Sequence, residues 1–206
     1  MAQQPAPTQN WLDRLRGGEM SVLAEVFGYY RPKLRQMVNL RIGSQLAARI
    51  DPSDVLQETY LEATRKIQAY AQDPQVSLFV WLRGLTWDRL SSLQREHLGT
   101  QRRAAQRELQ LSEHSSVMLA KRLLGGITPS GALVNIELRN RVRGALDRLP
   151  SQDREVILMR HFEGMSNSEV AETLGLSHSA ATMRHGRALA RLRDALQSDR
   201  SDGGMS

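Results

Sequence analysis

The segment from Leu149 to Arg193, LPSQDREVILMRHFEGMSNSEVAETLGLSHSAATMRHGRALARLR, constrains this chain more than any other. Two short helical patterns meet at Leu174-Gly175-Leu176-Ser177, and the second carries arginines and no acidic residue. Ser166-Asn167-Ser168-Glu169 has the chemistry of a capping box: the Ser166 hydroxyl accepts from the Glu169 amide, and Glu169 reaches back. The helix it starts is expected to bury Val170, Ala171 and Leu174. Gly175 permits the left-handed backbone of a sharp turn. Leu176 then plugs the core, Ser177 caps the second helix, and Ala181 is small where two helices must approach closely. The spacing predicts a helix-turn-helix whose second helix suits the DNA major groove. A helix before it, from Pro150-Ser151 to Gly164, is expected to bury Val156, Ile157 and Met159 or Phe162.

The front of the second helix would carry Ser177, His178, Ser179, Ala180, Thr182, Met183, Arg184 and Arg187. Arg184 and Arg187 lie three apart and share a face. Either suits a bidentate contact to guanine or a grip on phosphate. Arg191 and Arg193, further along, are expected to meet the DNA backbone. His178 and His185 are not at zinc-ligand spacing with a further ligand, so both are read as surface or phosphate-facing residues, and no metal site is expected. The competing reading is a plain helical hairpin with a solvated basic face.

The whole chain suits a polyanionic partner: 206 residues with a formal charge of +6 and a sequence pI near 10.3. It has no cysteine, which excludes disulfides and thiolate metal sites. No run approaches the roughly 18 apolar residues of a membrane span, and Met1 to Asn10 lacks the apolar stretch of a signal peptide. A cytoplasmic protein is the default expectation. Ser198 to Ser206, rich in Ser, Asp and Gly, reads as a disordered tail.

Strand signals are scarce, and Leu, Ala, Arg, Glu and Gln dominate, so the fold class expected is all-α. A first helix is expected over Trp11 to Leu15. A second runs from Ser21 to Ile42, with Val22, Val26, Tyr29, Tyr30, Leu34, Met37 and Val38 as its inner stripe and Pro32 as a kink. A third starts at Asp51-Pro52-Ser53-Asp54, where Asp51 caps, Pro52 suits the first position and Asp54 favours the positive dipole end. It extends to Tyr70, before the break at Asp73-Pro74. A fourth spans Ser77 to His97. Thr100 to Leu111 has some helical pattern, Gly125 to Gly131 has linker chemistry, and a further helix covers Leu133 to Leu149. The simplest parse is two helical domains joined by a partly ordered tether.

The third helix carries Asp54, Glu58 and Glu62 at four-residue steps, with no Lys or Arg between Asp51 and Glu62. Like charges so spaced weaken an isolated helix by a few tenths of a kcal/mol per pair; a basic partner surface would reverse that cost. The bland reading is a solvated acidic face partly neutralised by Arg65 and Lys66. The fourth helix interleaves Trp81, Arg83, Trp87, Arg89 and Arg95, then Arg102 and Arg103 beyond it, a mixture suited to unstacked bases and phosphates. Phe79, Trp81 and Leu85 also read as core residues.

Asp54-Val55-Leu56-Gln57-Glu58-Thr59-Tyr60-Leu61-Glu62-Ala63 resembles the core-polymerase-binding signature of bacterial sigma factors. Trp81-Leu82 and the basic helix that follows resemble their promoter-melting region. Leu149 to Arg193 resembles their last region. With these two regions and a short tether, the chain resembles the extracytoplasmic-function type of the sigma-70 family. The resemblance implies a region 2-like domain over 11–99, a linker over 100–132 and a region 4-like domain over 133–197, with residues 1–10 and 198–206 disordered.

The resemblance further implies that Asp51, Asp54, Leu56, Gln57, Glu58, Leu61 and Glu62 dock on core RNA polymerase, at its beta and beta-prime subunits. Trp81, Arg83, Trp87, Asp88, Arg89 and Arg95 would recognise and melt the minus-ten element. Ser177, Ser179, Ala180, Thr182, Met183, Arg184 and Arg187 would read the minus-thirty-five element. Promoter DNA and polymerase are the implied partners, with an anti-sigma factor or a Ser/Thr kinase as regulator; no cofactor or membrane is implied. The chain departs from the family at Trp87-Asp88, where Arg-Asn is usual, and at Ala181 and Thr182, where Val and Lys are common. The stretch from Arg95 to Arg103 resembles a sub-branch of planctomycete-like bacteria. No catalytic triad, metal cluster or phosphate loop is legible, so an enzyme is not expected. The remaining alternative is a helix-turn-helix regulator that acts without docking on polymerase.

Overall fold

The computed structural model describes residues 8–42, 47–98, 111–124 and 132–202. These form nine α-helices, and no strand occurs among the described residues. In chain order they are α1 (Thr8–Arg16), α2 (Ser21–Arg41), α3 (Pro52–Gln72), α4 (Leu78–Leu98), α5 (Glu113–Leu124), α6 (Ala132–Asp147), α7 (Ser151–Ile157), α8 (Asn167–Leu174) and α9 (His178–Asp202). None is long and apolar enough to cross a membrane.

Local chemistry explains most boundaries. Asp51 caps α3, accepting from the Ser53 amide at 2.7 Å, with Pro52 at the first position. Three- and four-residue steps bury Val22, Val26, Tyr30, Leu34, Met37 and Val38 on α2. Tyr29 departs from the expected stripe: it is 45% exposed, because Tyr30 takes the inward position and turns its neighbour outward. The Tyr29 ring instead packs edge-on against Trp11 and Tyr30. Pro32 lies inside α2, whose helical run continues to Arg41.

Several expectations along the rest of the chain change. α1 begins at Thr8, inside the stretch expected to be disordered. α5 occupies part of the expected tether and buries Ser116, Leu119 and Ala120. Residues 1–7, 100–110, 125–131 and 203–206, on which disorder, a possible helix and a linker were expected, lie outside the described residues. α9 runs on to Asp202 rather than ending before Ser198, whose hydroxyl donates to the Asp194 carbonyl at 3.0 Å. After α7 the chain makes one π-helical turn, Leu158–Phe162, which places Leu158, Met159 and Phe162 inward together.

The core has two apolar clusters, and each draws on both halves of the chain. The first joins residues of α1 to α4, such as Leu15, Val26, Leu56 and Leu90, to Val156, Met159, Met165 and Val170. The second gathers Leu119, Leu138, Val142, Phe162, Ala188 and Leu192, together with Leu40 of α2. The two halves therefore pack against each other rather than standing apart.

Candidate nucleic-acid and partner interfaces

The helix-turn-helix is built as its sequence requires. The Ser166 hydroxyl accepts from the Glu169 amide at 3.1 Å, and the Ser166 amide donates to the Glu169 carboxylate at 2.6 Å. Gly175 adopts φ 62° and ψ 36°, and the Leu176 amide then closes on the Ala171 carbonyl at 2.9 Å. Ser177 accepts from the Ala180 amide at 3.1 Å, which starts α9. Ala181 is fully buried at the crossing of α8 and α9. Leu174 and Leu176 are only partly buried. Asn167, which sequence reasoning passed over, locks the pair: its amide donates to the His178 carbonyl and to the Thr182 hydroxyl, both at 3.0 Å.

The front of α9 is open. Ser177, Ser179, Thr182 and Arg187 are exposed, Met183 is 64% exposed, and Ala180 and Arg184 are half-buried. Neither Arg184 nor Arg187 has a hydrogen-bond or ion-pair partner among the described residues, so both guanidinium forks are available. Arg191 is otherwise engaged: it donates to the nearly buried Asp153 of α7, a structural tie in place of the expected backbone contact. His185 is also reassigned. Its ring nitrogen meets that of His161, in the π-helical turn, at 2.9 Å. Burial, then the neighbouring His185, Arg122 and Arg160, push His161 down to about 4, so the pair is neutral at physiological pH.

On α3, Asp51, Asp54, Gln57, Glu58 and Leu61 are exposed, with Leu61 at 51%, and Glu62 is half-buried. Leu56 does not belong to this face. It is 1% exposed, in the first apolar cluster, because it sits on the opposite side of the helix from Asp54 and Glu58. The stripe is partly neutralised, more than the sequence indicated. Glu62 pairs with Lys66 at 2.9 Å and Arg65 at 3.4 Å, and Glu58 pairs with Arg89 of α4. These contacts line a groove of about 520 Å³ between α3 and α4, which also carries Leu61, Asp88 and Arg95. Thus Asp88, Arg89 and Arg95 lie beside the acidic residues.

The other residues singled out on α4 lie elsewhere. Trp81 stacks on Tyr70 with centroids 4.5 Å apart. Arg83 is 7% exposed and does not face solvent as expected. Its Nε donates to Glu163 at 2.8 Å, and the other Glu163 oxygen accepts from Arg41 Nε at 2.7 Å. Arg41 also donates to Glu155 at 2.8 Å and lies 5.2 Å from the centre of the Trp87 ring. Two guanidiniums from the first half therefore meet two carboxylates from the second. Burial works against the charged form of Glu163, but Arg41 and Arg83 outweigh it and hold the carboxyl below the usual glutamate range. Lys33 reaches Glu169 at 3.4 Å, and Glu172 of α8 accepts from the Ser77 amide at 2.8 Å, which caps α4 from across the junction. No cluster of three potential metal ligands occurs among the described residues.

Comparison with known proteins gives a consistent set of likenesses. The family described as Sigma-70, region 4 matches residues 139–192. The ECF RNA polymerase sigma factor SigW of Bacillus subtilis is 22% identical over 188 residues, covering 90% of this chain and 95% of the relative. The ECF RNA polymerase sigma factor SigD of Mycobacterium tuberculosis is 24% identical over 179 residues, 87% of this chain and 79% of the relative. Among solved structures, that of CnrH in complex with the cytosolic domain of CnrY shares the fold. Its TM-score is 0.55 and its identity 23%, over 93% of this chain and 98% of that one.

Two outcomes follow from the junction and the histidine pair. Glu163→Gln leaves Arg83 buried without a counter-charge and should destabilise the packing of the two halves by about 3–5 kcal/mol. Small-angle scattering should record a larger radius of gyration; an unchanged radius and melting temperature would show that the network holds nothing. The His161 ring, ordinarily near 6.5, titrates near 4 in the fold. The unfolded chain then binds the extra proton between these values, so stability is complete above about 6.5 and declines as pH falls toward 4. Thermal melts across that range should show a smaller decline for His161→Gln; equal slopes would exclude the pair as the cause.

Proposed function

We propose that this chain, which belongs to the sigma-70 family and to its extracytoplasmic-function type, is a factor that binds core RNA polymerase and directs promoter-specific transcription initiation. It works in the cytoplasm through DNA binding and promoter melting, with no catalysis of its own. One coincidence carries the reading. The residues matched to sigma-70 region 4 include the capped, glycine-turned helix pair with Arg184 and Arg187 free at its front.

In this reading the front of α9 reads the duplex of the minus-thirty-five element. Arg184 and Arg187 make the polar contacts and Met183 the apolar one, while Thr182, held by Asn167, supplies shape more than readout. Asp51, Asp54, Gln57, Glu58, Leu61 and Glu62 meet a basic surface of polymerase. Leu56 supports that face from below. Trp81, Trp87 and Arg83 serve strand opening, with stacking on a base offsetting the few kcal/mol that unstacking costs. Arg89 and Arg95 hold the phosphates beside them, and Asp88 tempers that basic surface.

Size requires the two halves to separate in the act. A compact chain of this length has a radius of gyration of about 17 Å and so a diameter of roughly 43 Å. Elements named for positions about 25 base pairs apart are about 85 Å apart on straight duplex, at about 3.4 Å per base pair. Residues 99–131, with α5 kept helical at about 1.5 Å per residue and the rest extended at about 3.3 Å, would reach as far as about 87 Å. Opening breaks the Arg41–Glu163–Arg83 network and frees Arg83 and Trp87 for DNA. A protein regulator of the anti-sigma kind, or a Ser/Thr kinase, would act by setting this balance.

The test is run-off transcription with purified core polymerase on genomic promoter fragments. Co-purification with core should survive for the parent chain and be lost on joint charge reversal, Asp54→Lys with Glu58→Lys, while circular dichroism stays helical. A chain that binds duplex tightly yet ignores polymerase would be an operator-binding regulator instead. Arg184→Ala should cost about 1–3 kcal/mol at the cognate upstream element and less on scrambled duplex. Equal weakening on both would make Arg184 a phosphate contact.

A further inference from the structure

Between the halves lies a cavity of about 840 Å³. Its charged lining is Arg35 of α2 with Arg139 and Arg143 of α6, and none of the described residues lining it is acidic. None of the three arginines makes a hydrogen bond or close ion pair among the described residues, though Arg35 acts on the Asp51 carboxylate at longer range. The Nε atoms of Arg139 and Arg143 are shut off from solvent with no acceptor. Arg89, Arg141 and Arg160 share a shut-off Nε, but each has a partner for its guanidinium elsewhere, in Glu58, the Leu196 carbonyl and the Met165 carbonyl. Arg41 and Arg83 are matched to Glu155 and Glu163, and Arg191 to Asp153. Here three guanidiniums face one space and repel one another, and buried donors go unanswered.

The geometry points to a binding site for a nucleotide-sized organic phosphate, its phosphate groups held by Arg35, Arg139 and Arg143. Guanidinium forks match phosphate oxygens in pairs, and several together favour a ligand with more than one phosphate. The volume falls in the range of small-molecule sites and far exceeds what a lone phosphate fills. Asn39 supplies an amide, Leu40 and Phe162 supply apolar wall, and Ser112 stands at the start of α5, where the helix dipole adds positive potential. The cavity is concave, so it suits a small ligand better than the convex backbone of a duplex.

The consequence concerns the balance between closed and open states. The walls come from α2, from the segment before α5 and from α6, so the site exists only while the two halves are packed together. A ligand that binds this arrangement alone stabilises it by mass action and opposes opening. The cell's phosphorylated-nucleotide level would then bear on how readily the chain engages its promoter.

The test uses the full chain with ATP, pyrophosphate, inorganic phosphate and adenosine as probes, read by titration calorimetry and thermal shift near physiological salt. ATP should bind saturably at one site and raise the melting temperature, pyrophosphate more weakly, and adenosine not at all. Arg35→Ala, at an exposed position outside the apolar clusters, and R139K/R143K, which keep charge and lose the fork, should each weaken ATP by tenfold or more. Arg31→Ala, one turn before Arg35 on the same helix face but outside the cavity lining, should leave ATP binding unchanged. Absence of saturable ATP binding overturns the proposal. So does equal weakening by Arg31→Ala and Arg35→Ala, which marks general attraction of anions to a basic protein. No polymerase or promoter enters these measurements, so their failure leaves the initiation reading standing.

Discussion

A carboxylate with 1% exposure, Glu163, sits between two guanidiniums from the other half of the chain. The rest of the arrangement depends on it. Three buried charges, Arg41, Arg83 and Glu163, and the partly exposed Glu155 cancel in pairs, so the junction needs no outside counter-charge. Such networks add little net stability, because the loss of hydration nearly offsets the attraction. Breaking one by removing a partner is expensive, however, since the remaining charge stays buried alone. The network thus acts chiefly to select one docked arrangement, while Val156, Met159, Met165 and Val170 provide the apolar burial.

That division suits the proposed opening, which needs an arrangement both stable and reversible. A partner that binds only the separated halves shifts the balance by its preference for that state and by nothing else. The packed form leaves two surfaces ready: the front of α9 and the acidic face of α3. It covers a third, where Arg83 is committed to Glu163 and Trp87 lies against Arg41. In the proposed reading, docking and duplex recognition start from the packed form, whereas strand opening waits for the halves to part. The order of events follows from which side chains are free, without any need for a separate timing device.

Features set by neighbours in sequence were legible before the structure. The Ser166 capping box, the Gly175 turn, the Asp51 cap and the small Ala181 each depend on residues within one or two helical turns, and each stands where the sequence put it. Features set by distant contacts were not. Arg83 read as a DNA ligand because its counter-charge lies 80 residues away. His185 read as a surface residue because His161 is brought to it by the π-helical turn, which has no clear sequence signal. α5 was hidden because its buried face, Ser116, Leu119 and Ala120, is short and holds one large apolar side chain, and a glycine-rich stretch follows it. Leu56 was assigned to the docking face because it lies within a signature read as a string, whereas the helix turns it inward.

The groove between α3 and α4 ties the proposed docking face to the proposed nucleic-acid face. Glu58 belongs to the acidic stripe and Arg89 to the basic helix, and they pair with each other. A basic partner that approaches Glu58 must compete with Arg89. If it succeeds, Arg89 loses its counter-charge next to Arg95 and becomes a stronger phosphate ligand. Because Asp88 and Glu96 lie beside it, the released guanidinium would be steadied rather than left isolated. Occupation of the docking face would thereby strengthen the nucleic-acid face of the neighbouring helix by simple exchange of partners. Both pairings lie at half-exposed positions, so the coupling is worth on the order of 1 kcal/mol and would weaken as salt screens the charges.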